Sequence, residues 1–464
     1  MVQKNREPLS PKRSPQAPST WRGWFVLYNL LIVPLLFVGF QLAAWFAPKV
    51  RAGIRGRASL LDEIARQLRD HSPQQLRVWI HAASVGEYEQ ARPLIRELRQ
   101  RLPECLIVQS FFSPSIYEHM QKRSSSRETD VVCYLPFDSL IRARRFLRVV
   151  QPEVGIFIRH DIWPNHLWEA KRRGVLLMLA SASVHERSLR HLPILRSFNR
   201  AVFDCFDVIA ATSADTAKGM KKFVRFPERL MVAGDTRYDQ VLFRSREPKL
   251  AGVLPTSWQH GAPTLIAGSV WPEDAAVLIP AFAAARRQVH GLRLMIVPHE
   301  PTPEQVHQLE AACGAMELNA TVLSRGAEGA RQEVLIVDRM GILANLYGVG
   351  QAAFVGGSFG PGIHNVLEAA IHGIPVLFGP RMRNSPEAIA MAEKGIGLIM
   401  HDATEGAQVL LVLFGNEGKR RELAERSRAF VLERCGASTK LIDTLLAALQ
   451  KEVQRDKSSA SKMS

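Results

Sequence analysis

The chain has 464 residues, 47% hydrophobic and 22% charged, a balance that suits two globular domains and excludes both a single core and a wholly disordered chain. Its five cysteines, Cys105, Cys133, Cys205, Cys313 and Cys435, form no CxxC pair, which argues against a disulfide framework or a cysteine zinc site. The net charge of +16 is uneven: residues 1–240 carry 37 Lys and Arg against 22 Asp and Glu, and the remainder 23 against 22. The basic half should attract an acidic partner, such as anionic lipid headgroups, a phosphorylated substrate or nucleic acid, although no nucleic-acid motif accompanies the charge.

Residues 1–20 are polar and proline-rich and are expected to be disordered. Between Arg22 and Lys49 lie 26 uncharged residues, including Leu30-Leu-Ile-Val-Pro-Leu-Leu-Phe-Val38, with Trp21, Trp24, Trp45 and Phe46 towards the ends. Roughly 20 apolar residues cross a hydrocarbon core, so 21–48 reads as a membrane anchor, spanning or deeply embedded. Ala-Trp-Phe-Ala-Pro-Lys is a poor cleavage site, which argues against a signal peptide. Basic residues flank both ends and leave the orientation open.

Beyond the anchor the chain alternates β-rich runs with helical patterns. Val78-Trp-Ile-His-Ala-Ala predicts a strand and 87–101 a helix; strands follow at 106–110, 154–158, 175–179 and 208–211, with a helix at 139–150. The rhythm restarts at 264–268 and continues at 294–298, 334–338, 352–356 and 375–379. This is the βαβ alternation of parallel sheets and predicts an α/β protein of two units that meet near 239–254. The expected limits are 49–245 and 246–450, followed by a disordered Lys/Ser-rich tail at 451–464.

Phe354-Val-Gly-Gly-Ser-Phe-Gly-Pro-Gly-Ile-His-Asn-Val-Leu-Glu368 reads as a strand, a four-glycine turn and a helix start. Such a turn can leave N–H groups for a phosphate, and His364 and Glu368, four apart, would share a helical face on which a carboxylate could meet a ribose. The pattern is not GxGxxG, so a dinucleotide is not implied. Glycine-rich strand-to-helix turns also occur for geometric reasons alone. The other polar clusters also follow strands, where open parallel sheets bind ligands. His81, His160, His364 and His372 lack metal-ligand spacing, and Trp163 and Trp271 are expected to pack rather than to carry a sugar.

Taken together, His81-Ala-Ala-Ser-Val-Gly-Glu87, Ile162-Trp-Pro-Asn165, Gly234-Asp-Thr-Arg-Tyr-Asp239, Ala267-Gly-Ser269, Ile296-Val-Pro298, Val355-Gly-Gly-Ser358, His364-Asn-Val-Leu-Glu368 and Gly373-Ile-Pro-Val-Leu-Phe-Gly-Pro380 resemble the 3-deoxy-D-manno-octulosonic acid (Kdo) transferases of lipid A assembly. The resemblance implies a GT-B fold of two facing Rossmann-like domains. It implies inverting transfer of Kdo from CMP-Kdo to a lipid A precursor at the cytoplasmic face of the inner membrane, without a metal ion. The basic first domain would hold the acceptor and the second the CMP-sugar.

By the same resemblance Glu87 is the proton acceptor, which a hydroxyl nucleophile needs at neutral pH. Asp161 stands where the family has Glu, one carbon shorter, after Arg159 and His160 in place of Glu-Thr; helix capping is the competing role for it. Arg237 replaces Lys and would stabilise the Kdo carboxylate or the departing phosphate. For the donor, the resemblance points to Pro298 and His299 (in place of Pro-Arg), to Met340, Gly341 and Ile342, to Gly357 and Ser358, and to Asn365, Val366, Leu367 and Glu368. A GT-B enzyme with another nucleotide sugar, or a non-catalytic lipid-binding protein of the same fold, are the alternatives.

Overall fold

The computed structural model describes residues 19–122, 128–159, 161–183, 193–247, 250, 252–259, 261–326 and 332–461. The expected disorder of residues 1–20 therefore falls almost wholly outside the described residues. The chain divides into two units, one of residues 1–240 and 436–464 and one of residues 241–435.

The first unit is built on seven strands: β1 (Arg77–His81), β2 (Leu106–Phe111), β3 (Val131–Tyr134), β4 (Val154–Ile158), β5 (Leu176–Ala182), β6 (Val208–Ala211) and β7 (Leu230–Val232). They pair in parallel in the order β3-β2-β1-β4-β5-β6-β7. The first six strands are buried throughout, because helices cover both faces, and they read as continuous rather than alternating apolar runs. The chain winds outward from β1 to β3 and then returns to β4 on the other side, so β1 and β4 flank a topological switch point.

The second unit has its own parallel sheet: β8 (Thr264–Val270), β9 (Arg293–Pro298), β10 (Ala320–Val322), β11 (Val334–Ile336), β12 (Ala352–Val355), β13 (Val376–Phe378) and β14 (Gly397–Ile399), ordered β10-β11-β9-β8-β12-β13-β14. Here the reversal falls between β8 and β12. Both units thus have the Rossmann-like character the βαβ alternation predicts.

Two findings differ from the sequence expectation. The chain re-enters the first unit at Gly436 rather than remaining in the second to residue 450, and the tail is helical through Ser461. The helix Ala437–Ser461 buries Leu441, Ile442 and Leu445 in the core that also holds Leu94 and Leu98 of the helix Val85–Arg101. Asp239 caps its start, accepting from the N–H of Gly436 at 2.5 Å and of Ser438 at 2.8 Å. Apolar contact and a cap outweigh the polar composition of the last turns.

The uncharged N-terminal stretch is helical, with Gly23–Phe46 long and apolar enough to cross a membrane by length and composition. A π turn, Tyr28–Ile32, precedes Pro34, whose missing N–H interrupts the regular ladder. This helix is docked on the first unit. Tyr28 Oη donates to Asp138 at 2.7 Å, Asn29 and Asn165 exchange amide hydrogen bonds of 2.9 and 3.0 Å, and Phe40 packs on Phe112 and Phe137.

Candidate active site

The switch point of the first unit collects five of the residues singled out above. β1 ends on His81, whose buried ring bridges Ser110 Oγ through Nδ1 and Asp161 Oδ2 through Nε2, both at 2.9 Å. Asp161 also accepts from the Trp163 indole at 2.9 Å. It does not cap the following helix: that position belongs to Trp163, with no side-chain cap bond. Arg159, immediately after β4, adopts φ +61°, an unusual conformation for a residue with a side chain, and begins the turn that brings Asp161 back to His81. His160 lies outside the described residues.

Glu87 is the third residue of the helix Val85–Arg101, whose N-cap Ser84 accepts from the Glu87 N–H. The Glu87 carboxylate turns back to the chain ahead of the helix and takes the Ala83 N–H on Oε2 at 2.6 Å. Oε1 has no hydrogen bond among the described residues. Burial pushes this carboxyl above its usual range, and nearby Asp161 adds to the rise, while the Ala83 N–H, His81 and Arg159 oppose it. A carboxylate so placed has the basicity and the open oxygen of a general base.

Arg237 connects to the same helix. Its guanidinium grips Asp235 through Nε and Nη2 at 2.9 and 2.8 Å, and Asp235 Oδ1 takes the side-chain N–H of Gln90, one turn after Glu87, at 2.9 Å. Burial alone would raise the Asp235 carboxyl, but Arg237 holds it below the ordinary range. The Arg237 side chain is 37% exposed, so its charge reaches solvent while its geometry is fixed.

At the second switch point three rings gather. Trp271 follows β8, His299 follows β9 and His364 follows the glycine turn after β12. His299 stacks on both others at 4.5 Å between centroids, and the Trp271 indole donates to His364 Nε2 at 3.0 Å. His364 therefore carries its proton on Nδ1, and burial, aided by His299, keeps it less basic than an ordinary histidine.

The glycine turn departs from the expected phosphate cradle. The N–H groups of Gly357 and Phe359 donate to the fully buried Asp274 at 2.6 and 3.0 Å. Ser358 is buried as well, its hydroxyl donating to Val355 O and accepting from the Gly379 N–H. His364 and Glu368 do not share a helical face, because the helix is only Leu367–Ala370 and His364 lies before it, outside any helix. Glu368 instead pairs with Arg244 at 3.0 Å.

Of the other donor candidates, Asn365, Met340 and Gly341 are exposed, whereas Pro298, Ile342, Val366 and Leu367 are buried and offer a ligand only backbone groups. Asp274, Arg244 and Gln90 were not singled out from sequence. Among the described residues no group of three or more His, Cys, Asp or Glu side chains is placed to hold a metal ion.

A family model described as 3-Deoxy-D-manno-octulosonic-acid transferase (kdotransferase) matches residues 55–240. The chain is similar to the 3-deoxy-D-manno-octulosonic acid transferase of Haemophilus influenzae, 25% identical over 442 residues, which cover 93% of this chain and 100% of that one. It is 28% identical over 387 residues to the Bordetella pertussis protein of the same name, covering 81% and 88%. Over most of its length the chain is thus similar to Kdo transferases. Among solved structures it is similar to UDP-GlcNAc 2-epimerase from Neisseria meningitidis, 14% identical over 80% of this chain and 100% of that one, with a TM-score of 0.59. That likeness concerns the fold alone, the two-unit GT-B class. The family model covers the sheet that positions Glu87, Asp161 and Arg237, so the buried carboxylate at the first switch point lies inside the matched region.

Proposed function

We infer that the protein transfers Kdo from CMP-Kdo to a hydroxyl of a lipid A precursor by an inverting displacement, with Glu87 as proton acceptor. The observation that carries this reading is the state of Glu87: buried at a switch point, raised in basicity, one oxygen anchored by a backbone N–H and the other without a hydrogen bond among the described residues. The acceptor oxygen attacks the anomeric carbon of Kdo and passes its proton to Glu87. The bond from that carbon to the CMP phosphate oxygen breaks, and CMP leaves with the electron pair. His81 and Asp161 fix the floor of the site, and Arg237 offsets the negative charge of the Kdo carboxylate or the phosphate.

Under this reading the donor meets the second switch point. His299, Asn365, Met340 with Gly341, and Glu368 are the groups assigned to it, while Gly357 and Ser358 shape the turn from within. No metal is assigned, since the charge is met by side chains. The apolar helix anchors the protein at the cytoplasmic face of the inner membrane. Because residues from Trp24 to Phe40 touch the first unit, a length of about 24 Å at ~1.5 Å per residue, we read the helix as embedded beside that unit.

One observation favours a second reading: His299 stands where the resemblance calls for Arg, so the nucleotide partner could differ. Competition binding separates the two. The expected result is that CMP binds at least about tenfold more tightly than UDP or GDP, a difference of ~1.4 kcal/mol. Preference for UDP or GDP would replace CMP-Kdo with another nucleotide sugar.

A further inference from the structure

We propose that Asp274 is the internal anion of the glycine turn: its carboxylate fills the cradle of N–H groups at residues 357–359 and thereby positions the Trp271, His299 and His364 rings. The link from these rings to the donor nucleotide rests on the reading of the second unit given above.

Each unit places a carboxylate at the third residue of the helix after its first strand, Glu87 after β1 and Asp274 after β8. The two are used differently. Glu87 takes one N–H outside its own helix, and its other oxygen has no hydrogen bond among the described residues. Asp274 is 0% exposed and takes three N–H groups from two segments: Trp271 at 2.9 Å and Gly357 at 2.6 Å on Oδ2, and Phe359 at 3.0 Å on Oδ1. That is the coordination a bound anion would receive in a backbone nest.

The turn is shaped to this occupant. A Cβ at Gly356 would lie 2.2 Å from Ser269 O, and one at Gly357, where φ is +81°, 2.2 Å from Gly362 O. A phosphate brought to the same N–H groups would meet a buried carboxylate already in place. The contacts also reach both ring-bearing segments. Asp274 holds the Trp271 backbone directly, and it fixes Gly357, whose neighbour Gly356 accepts the His364 N–H at 3.0 Å. Asp274 is thus a positioning residue, one step removed from the donor.

Chemical rescue of the full-length protein in detergent tests this. Asp274→Ala vacates the cradle; its melting temperature should fall, and the Trp271 indole resonance should shift in a ¹⁵N–¹H spectrum. Sodium formate, against sodium chloride at equal ionic strength, should restore both. Asp274→Asn fills the space with a donor facing N–H groups and should be impaired without rescue. CMP affinity of Asp274→Ala should drop about tenfold or more and recover with formate. An Asp274→Ala protein too weak to stay folded is refolded with either salt, formate alone being expected to succeed. A wild-type indole resonance in Asp274→Ala, or formate acting no better than chloride, overturns the proposal. If the wild type fails to bind CMP, the donor reading falls, and the formate arm still decides the role of Asp274.

Discussion

Glu87 is held above the ordinary carboxylate range by burial first and by Asp161 second, so its ionised form is penalised in the folded protein. Its contribution to stability is fully present below the unfolded pKa and is lost as pH rises through the folded one. Glu87→Gln should therefore melt above wild type at neutral pH and converge with it in acid, which thermal melts over a pH series will show. Asp161→Asn removes the negative neighbour, so the acid limb of the kcat/KM profile should move to lower pH. The helix that carries Glu87 was legible in sequence, although it starts at Val85, two residues before the expected limit, with Ser84 as its cap. The bond between His81 and Asp161 was not, because it joins residues 80 apart through the crossover from β1 to β4. Asp274 was obscured for a similar reason: its partners lie 83 and 85 residues away in a glycine turn that resembles a ligand cradle.

Elements with long apolar runs were legible, among them β1, β4, β8 and β12. The edge strands β7, β10 and β14 have three residues each, too few to show any period. The N-terminal helix was legible as apolar, but not as docked. Its attachment depends on Asp138, which is buried and accepts from Tyr28 Oη, from the Asn165 and His166 N–H groups, and from His166 Nδ1 at 2.6 Å. Asp138→Ala strands these donors at a cost of ~1–3 kcal/mol each where burial persists. It should lower the melting temperature clearly more than Tyr28→Phe, which removes one donor together with its need for an acceptor. Differential scanning fluorimetry in detergent distinguishes the two.

For the whole molecule, the return of the chain at Gly436 makes the first unit discontinuous. The Lys/Ser-rich composition of the last residues concealed this, while the apolar residues that matter, Leu441, Ile442 and Leu445, lie earlier in the same helix. Truncation after Cys435 removes all three from the core against the helix of Glu87, at ~1.5–3 kcal/mol each, a large share of a typical folding free energy of about 5–15 kcal/mol. The truncated protein should be aggregated or protease-sensitive in limited proteolysis.

Kdo transfer as proposed depends on Glu87 receiving the proton of an acceptor hydroxyl while CMP departs. The most direct measurement is mass spectrometry of the lipid after incubation with CMP-Kdo and a tetra-acylated lipid A precursor, using wild type and Glu87→Ala side by side. Wild type should yield Kdo-bearing lipid, and Glu87→Ala should fold and bind CMP yet form product ~10²–10⁴-fold more slowly. Turnover by Glu87→Ala at the wild-type rate, or no Kdo-bearing lipid from the wild type, would contradict it.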